Sequence, residues 1–215
     1  IRLLYLYPDE IEDDLIQVIK ENQDRLSPYF DIPLQHASNK VLKAMNRRGT
    51  KEEYLALIRK IREEIPNAIL RTTYIVGFPG ETKRDFEQLI NFTKEVKFDH
   101  MGAFTYSREE GTKSYDFKGQ VRKSTKQKRY DELMKVQKVI SYEQNKKHIG
   151  EIMTGLVVGY DPNKNEYQLR SYWNAPDDID GYIYFKSKKE LTIGESVKIK
   201  ITNAFVYDLF GELVD

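Results

Sequence analysis

The stretch from Arg71 to Thr82, RTTYIVGFPGET, constrains the fold more than any other part of this chain. Thr72 to Val76 is β-branched and aromatic, the composition of a buried strand. Gly77 breaks the run, Pro79-Gly80 makes a turn, and Thr82 opens a helix. A strand running directly into a helix start is the building unit of α/β folds, which place ligands at the carboxyl ends of their strands. The stretch therefore predicts an architecture and a site together.

The same alternation repeats before and after it. Leu3 to Leu6 is a short apolar run ending at Pro8, followed by a helical pattern through Ile11, Leu15, Ile16 and Ile19. Phe30, Ile32 and Leu34 alternate as a strand, and Ser38 reads as the N-cap of a short helix through Val41, Leu42 and Met45. Thr50 with Glu53 makes a capping box, each side chain satisfying the other's backbone N–H, ahead of a helix carrying Tyr54, Leu57, Ile58, Ile61 and Ile65. Thr82 with Asp85 makes a second box before Phe86, Leu89, Ile90 and Val96, and Met101 to Tyr106 is a further strand. Four strand–helix units in one direction predict a parallel sheet, open or closed into a barrel.

Residues 113–123 read as a polar loop. Residues 124–147 read as one basic helix with Tyr130, Leu133, Val136, Val139 or Ile140, and Tyr142 inward. Gly150 marks a boundary, which divides the chain into 1–148 and 149–215. Beyond it Val197, Ile199 and Ile201 alternate with Lys198, Lys200 and Thr202, and turns at Asp161-Pro162-Asn163 and Ile193-Gly194 predict a small all-β module.

Charge is distributed unevenly: −2 over residues 1–112, +7 over 113–148 and −4 over 149–215. There is no cysteine, which excludes disulfides, thiolate catalysis and any thiolate-held zinc or iron–sulfur site within these residues. That fits a cytoplasmic protein. No apolar run is long enough to span a membrane, and no signal peptide is expected from these residues. The opening at Ile1, without Met, reads as the carboxyl-terminal part of a longer protein.

Three strand ends carry polar tips. Gly77 to Thr82 is either only a tight turn or a place where backbone closely approaches a ligand, because glycine has no side chain to hold it away; Glu81 argues against a plain phosphate there. Gln35, His36 and Ser38 follow an apolar strand. His36 alone would read as structural, but three polar residues at a strand end point to binding. Phe104, Thr105, Tyr106 and Ser107 close the third strand, and the aromatic pair could equally be core. The basic stretch 113–148 reads by default as a solvated face, with a phosphate-contacting surface as the alternative. The acidic Asp177-Asp178-Ile179-Asp180-Gly181 string lacks the rest of an EF-hand loop, and in an acidic module it disfavours RNA and suits a basic partner.

Taken together, YFDIPLQHAS, VLKAMNRRGT, LRTTYIVGFPGET and FTYSREEGT resemble the second half of a radical-SAM methylthiotransferase, in order and spacing, over residues 1–147. The tail, with SYWNAPDDIDG and VYDLFGEL, is similar to the TRAM module that closes these enzymes. PLQHAS and APDDIDG resemble the RimO-type branch, which modifies an aspartate of ribosomal protein S twelve, more than the branch that modifies a transfer-RNA adenosine.

The resemblance implies the last four units of a partial (β/α)6 barrel followed by an OB-like β-barrel. It implies S-adenosyl-L-methionine (SAM) as cofactor, two [4Fe–4S] clusters whose ligands are absent from this chain, and an electron donor for cluster reduction. It implies hydrogen abstraction from the β-carbon of the target aspartate, then addition of sulfur and a methyl group. Without thiolates the chain alone is expected to be inactive. By carry-over Gln35 and Ser38 would line the ribose or methionyl side, Gly77 would pass close to the adenosyl group, backbone around Phe104–Tyr106 would hold adenine, and His36 would face substrate. No catalytic acid or base is assigned. Two rivals remain: an RNA-binding module on a barrel scaffold, and an ordinary TIM-barrel hydrolase, which the lack of a carboxylate pair or His–metal cluster disfavours.

Overall fold

Two capping boxes determine where the major helices begin. The computed structural model describes residues 1–176 and 179–214. In it the Thr50 and Thr82 hydroxyls accept from the backbone N–H groups of Glu53 and Asp85, and those carboxylates accept from the N–H groups of Thr50 and Thr82. The elements in order are α1 (Asp13–Glu21), β1 (Tyr29–Asp31), α2 (Asn39–Ala44), α3 (Lys51–Glu64), β2 (Ile69–Val76), α4 (Lys83–Val96), β3 (His100–Thr105) and α5 (Lys123–Lys146). Then follow β4 (Ile152–Asp161), β5 (Glu166–Ser171), β6 (Ile183–Lys186), β7 (Ser196–Ala204) and β8 (Leu209–Val214).

The chain divides into two compact units, Ile1–Gln137 and Lys138–Asp215, and the division falls inside α5. In the first unit β1, β2 and β3 form a three-stranded parallel sheet, with Asp31 opposite Arg71 and Ile75 opposite Phe104. β2 buries Leu70, Thr72, Tyr74 and Val76 on one face and leaves Arg71, Thr73 and Ile75 half-buried on the other. The helix side of the sheet holds the core, with Phe30, Ile32, Ile58, Ile61, Leu89, Phe92, Phe98 and Leu133 in one cluster.

Four strands were expected and three form. Leu3 makes only a single parallel bridge to Phe30. The cause lies at Tyr5, whose φ of 59° turns the chain out of the extended state. Asp31 holds that turn, its carboxylate accepting from Tyr5 N–H at 3.1 Å and its carbonyl from Leu6 N–H at 2.8 Å.

The second unit closes the strands β4-β5-β6-β8-β7 into a barrel, antiparallel except for the parallel pair β6–β8. Met153, Val157, Leu169, Ile183, Phe185, Ile199, Ile201 and Leu209 fill it. Glycine is required where neighbours crowd the wall: a Cβ on Gly211 would lie 2.4 Å from Ile199 Cγ2. At the end of α5, Asn145 donates to the carbonyls of Phe205 and Val206 and accepts from the Trp173 indole at 3.1 Å. Asp177 and Asp178, part of the acidic string, lie outside the described residues; Asp180 is buried and accepts from Ala175 N–H.

On α5 the expected inward row holds at Leu133, with Tyr130 and Val136 half-buried against the core, and is corrected only at its end. Tyr142 and Val139 are exposed, and Ile140 is buried. The buried row continues through Gln137, Ser141, Gln144 and Asn145. Tyr142 instead lies beneath the Lys146 ammonium, 4.8 Å from its ring centroid.

Candidate functional site

At the carboxyl ends of β1, β2 and β3 a cavity of about 780 Å³ opens. Its lining includes Gln35, Thr73, Ile75, Phe78, Phe104 and Tyr106. This is the position at which parallel sheets present loop and strand-end residues to ligands.

Gln35 sits on the β1 side in a left-handed conformation, φ 68°, unusual for a residue with a side chain. β2 holds it there: its N–H donates to Thr73 O at 2.9 Å and its carbonyl accepts from Ile75 N–H at 2.8 Å. The side-chain oxygen of Gln35 is buried with no hydrogen-bond partner, as is the hydroxyl of Tyr106. Both residues line the cavity. Buried polar atoms are ordinarily satisfied, so two orphans on residues that line one cavity are unusual and are compatible with a polar ligand there. Phe78 packs edge-on against Tyr106 with ring centroids 5.1 Å apart, and Phe104, 64% exposed, adds an open aromatic face.

The other three residues singled out from the sequence lie outside the cavity lining. Ser38 is buried, and its hydroxyl donates to Asp85 at 2.8 Å. It occupies the N-cap position of α2 but makes no capping hydrogen bond with its side chain. His36 is fully buried, and its Nδ1 accepts from Ser38 N–H at 2.9 Å, which leaves the proton on Nε2. Nε2 lies 3.8 Å from the Glu81 carboxylate, beyond hydrogen-bond range. Burial pushes His36 down to about 4, so it is neutral at pH 7 and this contact is not an ion pair. Gly77 has φ 77°, and a Cβ there would stand 2.4 Å from Lys126 Cγ; what approaches its backbone is a lysine of α5.

Glu81 explains why the turn after β2 has a fixed shape. Its fully buried carboxylate accepts from Gly77 N–H and Phe78 N–H at 2.5 and 3.1 Å and pairs with Arg129 at 2.9 Å. Burial pushes its carboxyl above the usual range, against the pull of Arg129 and the two N–H groups. Asp85 moves the other way: burial alone would raise it, but hydrogen bonds from Lys40, Thr82 and Ser38 together hold it well below the usual carboxylate range.

Arg47, Met45, Thr73, Lys113 and Phe117 also line the cavity. The alternation of Thr73 and Ile75 on β2 carried a signal for their face; the positions of Arg47 and Lys113 depend on loops and carried none. Among the described residues no group of three His, Asp or Glu side chains could hold a metal ion, and no helix is long and apolar enough to cross a membrane.

Comparison with known proteins shows what the chain is similar to. A family model described as the radical SAM superfamily matches residues 4–93, and one described as a TRAM domain matches residues 149–214. The chain belongs to the radical SAM superfamily. Ribosomal protein uS12 methylthiotransferase RimO of Caldanaerobacter subterraneus subsp. tengcongensis is 51% identical over 99% of this radical-SAM chain and 48% of that protein. The proteins of the same name from Acetivibrio thermocellus and Clostridioides difficile strain 630 are 45% and 47% identical over 100% of the chain, covering 47% and 48% of their own lengths. The chain spans about half the length of the curated relatives it matches.

Membership implies SAM and iron–sulfur chemistry in the intact enzyme. The residues present fit SAM: the volume suits a nucleoside-sized ligand, aromatic faces of Phe78, Phe104 and Tyr106 suit a base, and the orphaned Gln35 and Tyr106 oxygens can take polar groups. They do not fit an iron–sulfur cluster, since the chain has no cysteine to bind iron.

Proposed function

We propose that this chain supplies the SAM-binding half-barrel and the TRAM module of a methylthiotransferase that modifies an aspartate of ribosomal protein uS12. What supports the reading is the strand-end cavity with its orphaned Gln35 and Tyr106 oxygens, in a chain about half identical to proteins named for that activity. The division of labour assigns residues 1–148 to the barrel and 149–215 to the TRAM domain.

Bound SAM supplies the methyl group and, together with an iron–sulfur cluster held by residues outside this chain, the hydrogen-abstracting chemistry. The chain's own side chains bind and orient. Phe104 and Phe78 give apolar surface that excludes water. The Gln35 oxygen accepts from a ligand donor, and the Tyr106 hydroxyl donates or accepts. Ser38, His36 and Gly77 act one layer behind, shaping the loops that carry these groups. Without cluster ligands the chain alone is inactive, and the intact enzyme needs two clusters and an electron donor. The acidic TRAM module, net −4, attracts the basic ribosomal protein.

The test is to assay the full-length enzyme, reconstituted with iron and sulfide, for methylthiolation of uS12 by mass spectrometry. Modification of transfer-RNA adenosine and not of uS12 would overturn the substrate assignment.

One observation favours a second reading. Tyr182, Tyr184, Phe210 and Phe205 form a chain of ring contacts at 5.1 to 6.0 Å beside the barrel wall, with Phe205 exposed. Such aromatic series serve as stacking platforms for single-stranded RNA. Salt-dependent affinity of the chain for RNA would support that reading, and the net charge of −4 over residues 149–215 weighs against it.

A further inference from the structure

Two cations one turn apart on α5 reach the cavity wall from behind. The Lys126 ammonium donates to the Tyr106 carbonyl at 2.7 Å and lies 4.7 Å from the centroid of the Tyr106 ring. The Arg129 guanidinium donates to the Glu81 carboxylate at 2.9 Å and to the Glu81 carbonyl at 3.2 Å. Glu81 in turn holds the N–H groups of Gly77 and Phe78. Phe78 and Tyr106, the two rings so tethered, touch each other and line the cavity together. A spacing of three residues puts both cations on one helix face.

We propose that Lys126 and Arg129 are positioning residues of the cavity: Lys126 sets Tyr106, and Arg129, acting through Glu81, sets Phe78. This role rests on the cavity's binding an adenosyl group, as proposed above. Three features support it. Arg129 is only 12% exposed and its partner carboxylate fully buried, so the pair is part of the interior and not a surface ion pair. Lys126 can reach Tyr106 only because residue 77 has no side chain, since its own Cβ and Cγ occupy the space a residue 77 Cβ would need. Finally, the Tyr106 carbonyl has its hydrogen bond from Lys126 and the Tyr106 N–H has its own to Val76 O at 2.8 Å, so the backbone is held on both sides, while the hydroxyl has no partner.

The test uses the 215-residue chain and 5′-methylthioadenosine, an adenosyl probe lacking the amino-acid portion of SAM. Lys126→Met and Arg129→Met are each expected to weaken its binding about tenfold, the scale of a lost charge-assisted hydrogen bond. Arg129→Lys should recover part of the loss. Amide hydrogen exchange gives a ligand-independent readout: Gly77 and Phe78 should exchange about tenfold faster in Arg129→Met, while Thr72 to Tyr74 at the centre of β2 keep their protection.

Because Arg129→Met leaves Glu81 buried without its partner, the double variant Glu81→Gln/Arg129→Met is measured beside it. It removes the stranded charge and should still weaken binding. Unchanged affinity together with unchanged exchange would overturn the proposal. So would exchange that accelerates uniformly through β1, β2 and β3 in both the single and the double variant. If the unsubstituted chain does not bind the probe, the adenosyl reading fails, and exchange at Gly77 and Phe78 alone decides the positioning role.

Discussion

The Ser38 hydroxyl donates to the Asp85 carboxylate at 2.8 Å, joining the start of α2 to the capping box of α4 across 47 residues of sequence. The same carboxylate takes Lys40 Nζ at 2.8 Å and the Thr82 N–H at 2.8 Å. Asp85→Ala therefore removes a cap and leaves the Ser38 hydroxyl and the Thr82 N–H and hydroxyl without this acceptor, while the exposed Lys40 ammonium can turn to water. It should cost about 2–4 kcal/mol by urea denaturation, more than an isolated cap. Ser38→Ala, removing one donor, should cost about 1 kcal/mol.

Burial depresses His36 to about 4 from its ordinary 6.5. The unfolded chain therefore binds a proton that the folded chain refuses between those values. Stability is lost as pH falls through that window, by up to about 3 kcal/mol, and the slope flattens below it. Glu81, raised by burial, titrates with the opposite sign, so the total curve does not isolate His36. The difference between the unsubstituted chain and His36→Asn does, because Asn can still accept from Ser38 N–H. Urea stabilities at pH 7 and pH 4.5 should differ less in the variant; an identical slope would refute the buried, neutral imidazole.

Gly77→Ala faces two separate penalties: a left-handed φ of 77° and a Cβ 2.4 Å from Lys126 Cγ. The first costs about 1 kcal/mol and stays with the residue. The second depends on the lysine. Pairing Gly77→Ala with Lys126→Ala should recover at least about 1 kcal/mol relative to additivity. Strict additivity would mean that the lysine does not occupy that space.

Tyr106→Phe removes a hydroxyl that has no partner. In the unliganded chain it should be neutral or slightly stabilising, within about 1 kcal/mol. Affinity for an adenosyl ligand should nevertheless fall. A loss of stability without a loss of affinity would show the hydroxyl to be structural.

Much of this was legible because it is local. Thr50 with Glu53 and Thr82 with Asp85 lie three residues apart, and each box formed as its spacing required. The cavity position followed from strand ends, and Gln35, Phe104 and Tyr106 meet there. What could not be read depends on distant partners. The protein neighbours of Ser38 and Gly77, Asp85 and Lys126, come from elements far along the chain. The Arg2–Tyr7 run has strand composition, but Tyr5 turns out of the ladder because Asp31 supplies its N–H with an acceptor. On α5, hydrophobicity pointed to Tyr142, while the residues buried beside Ile140 there are the polar Gln137, Ser141, Gln144 and Asn145.

That polar row has a practical consequence for anyone dividing the chain. The similarity to TRAM domains begins at residue 149, but Asn145 already accepts from the Trp173 indole and donates to the Phe205 and Val206 carbonyls. A protein beginning at Ile149 would lose all three of these hydrogen bonds. One beginning at Lys138 would keep them, at the expense of carrying half a helix. The longer version should melt cooperatively at a temperature several degrees higher, about 4–8 °C per kcal/mol retained for a unit of this size. The contacts that tie α5 to the barrel thus begin before the region the family shares.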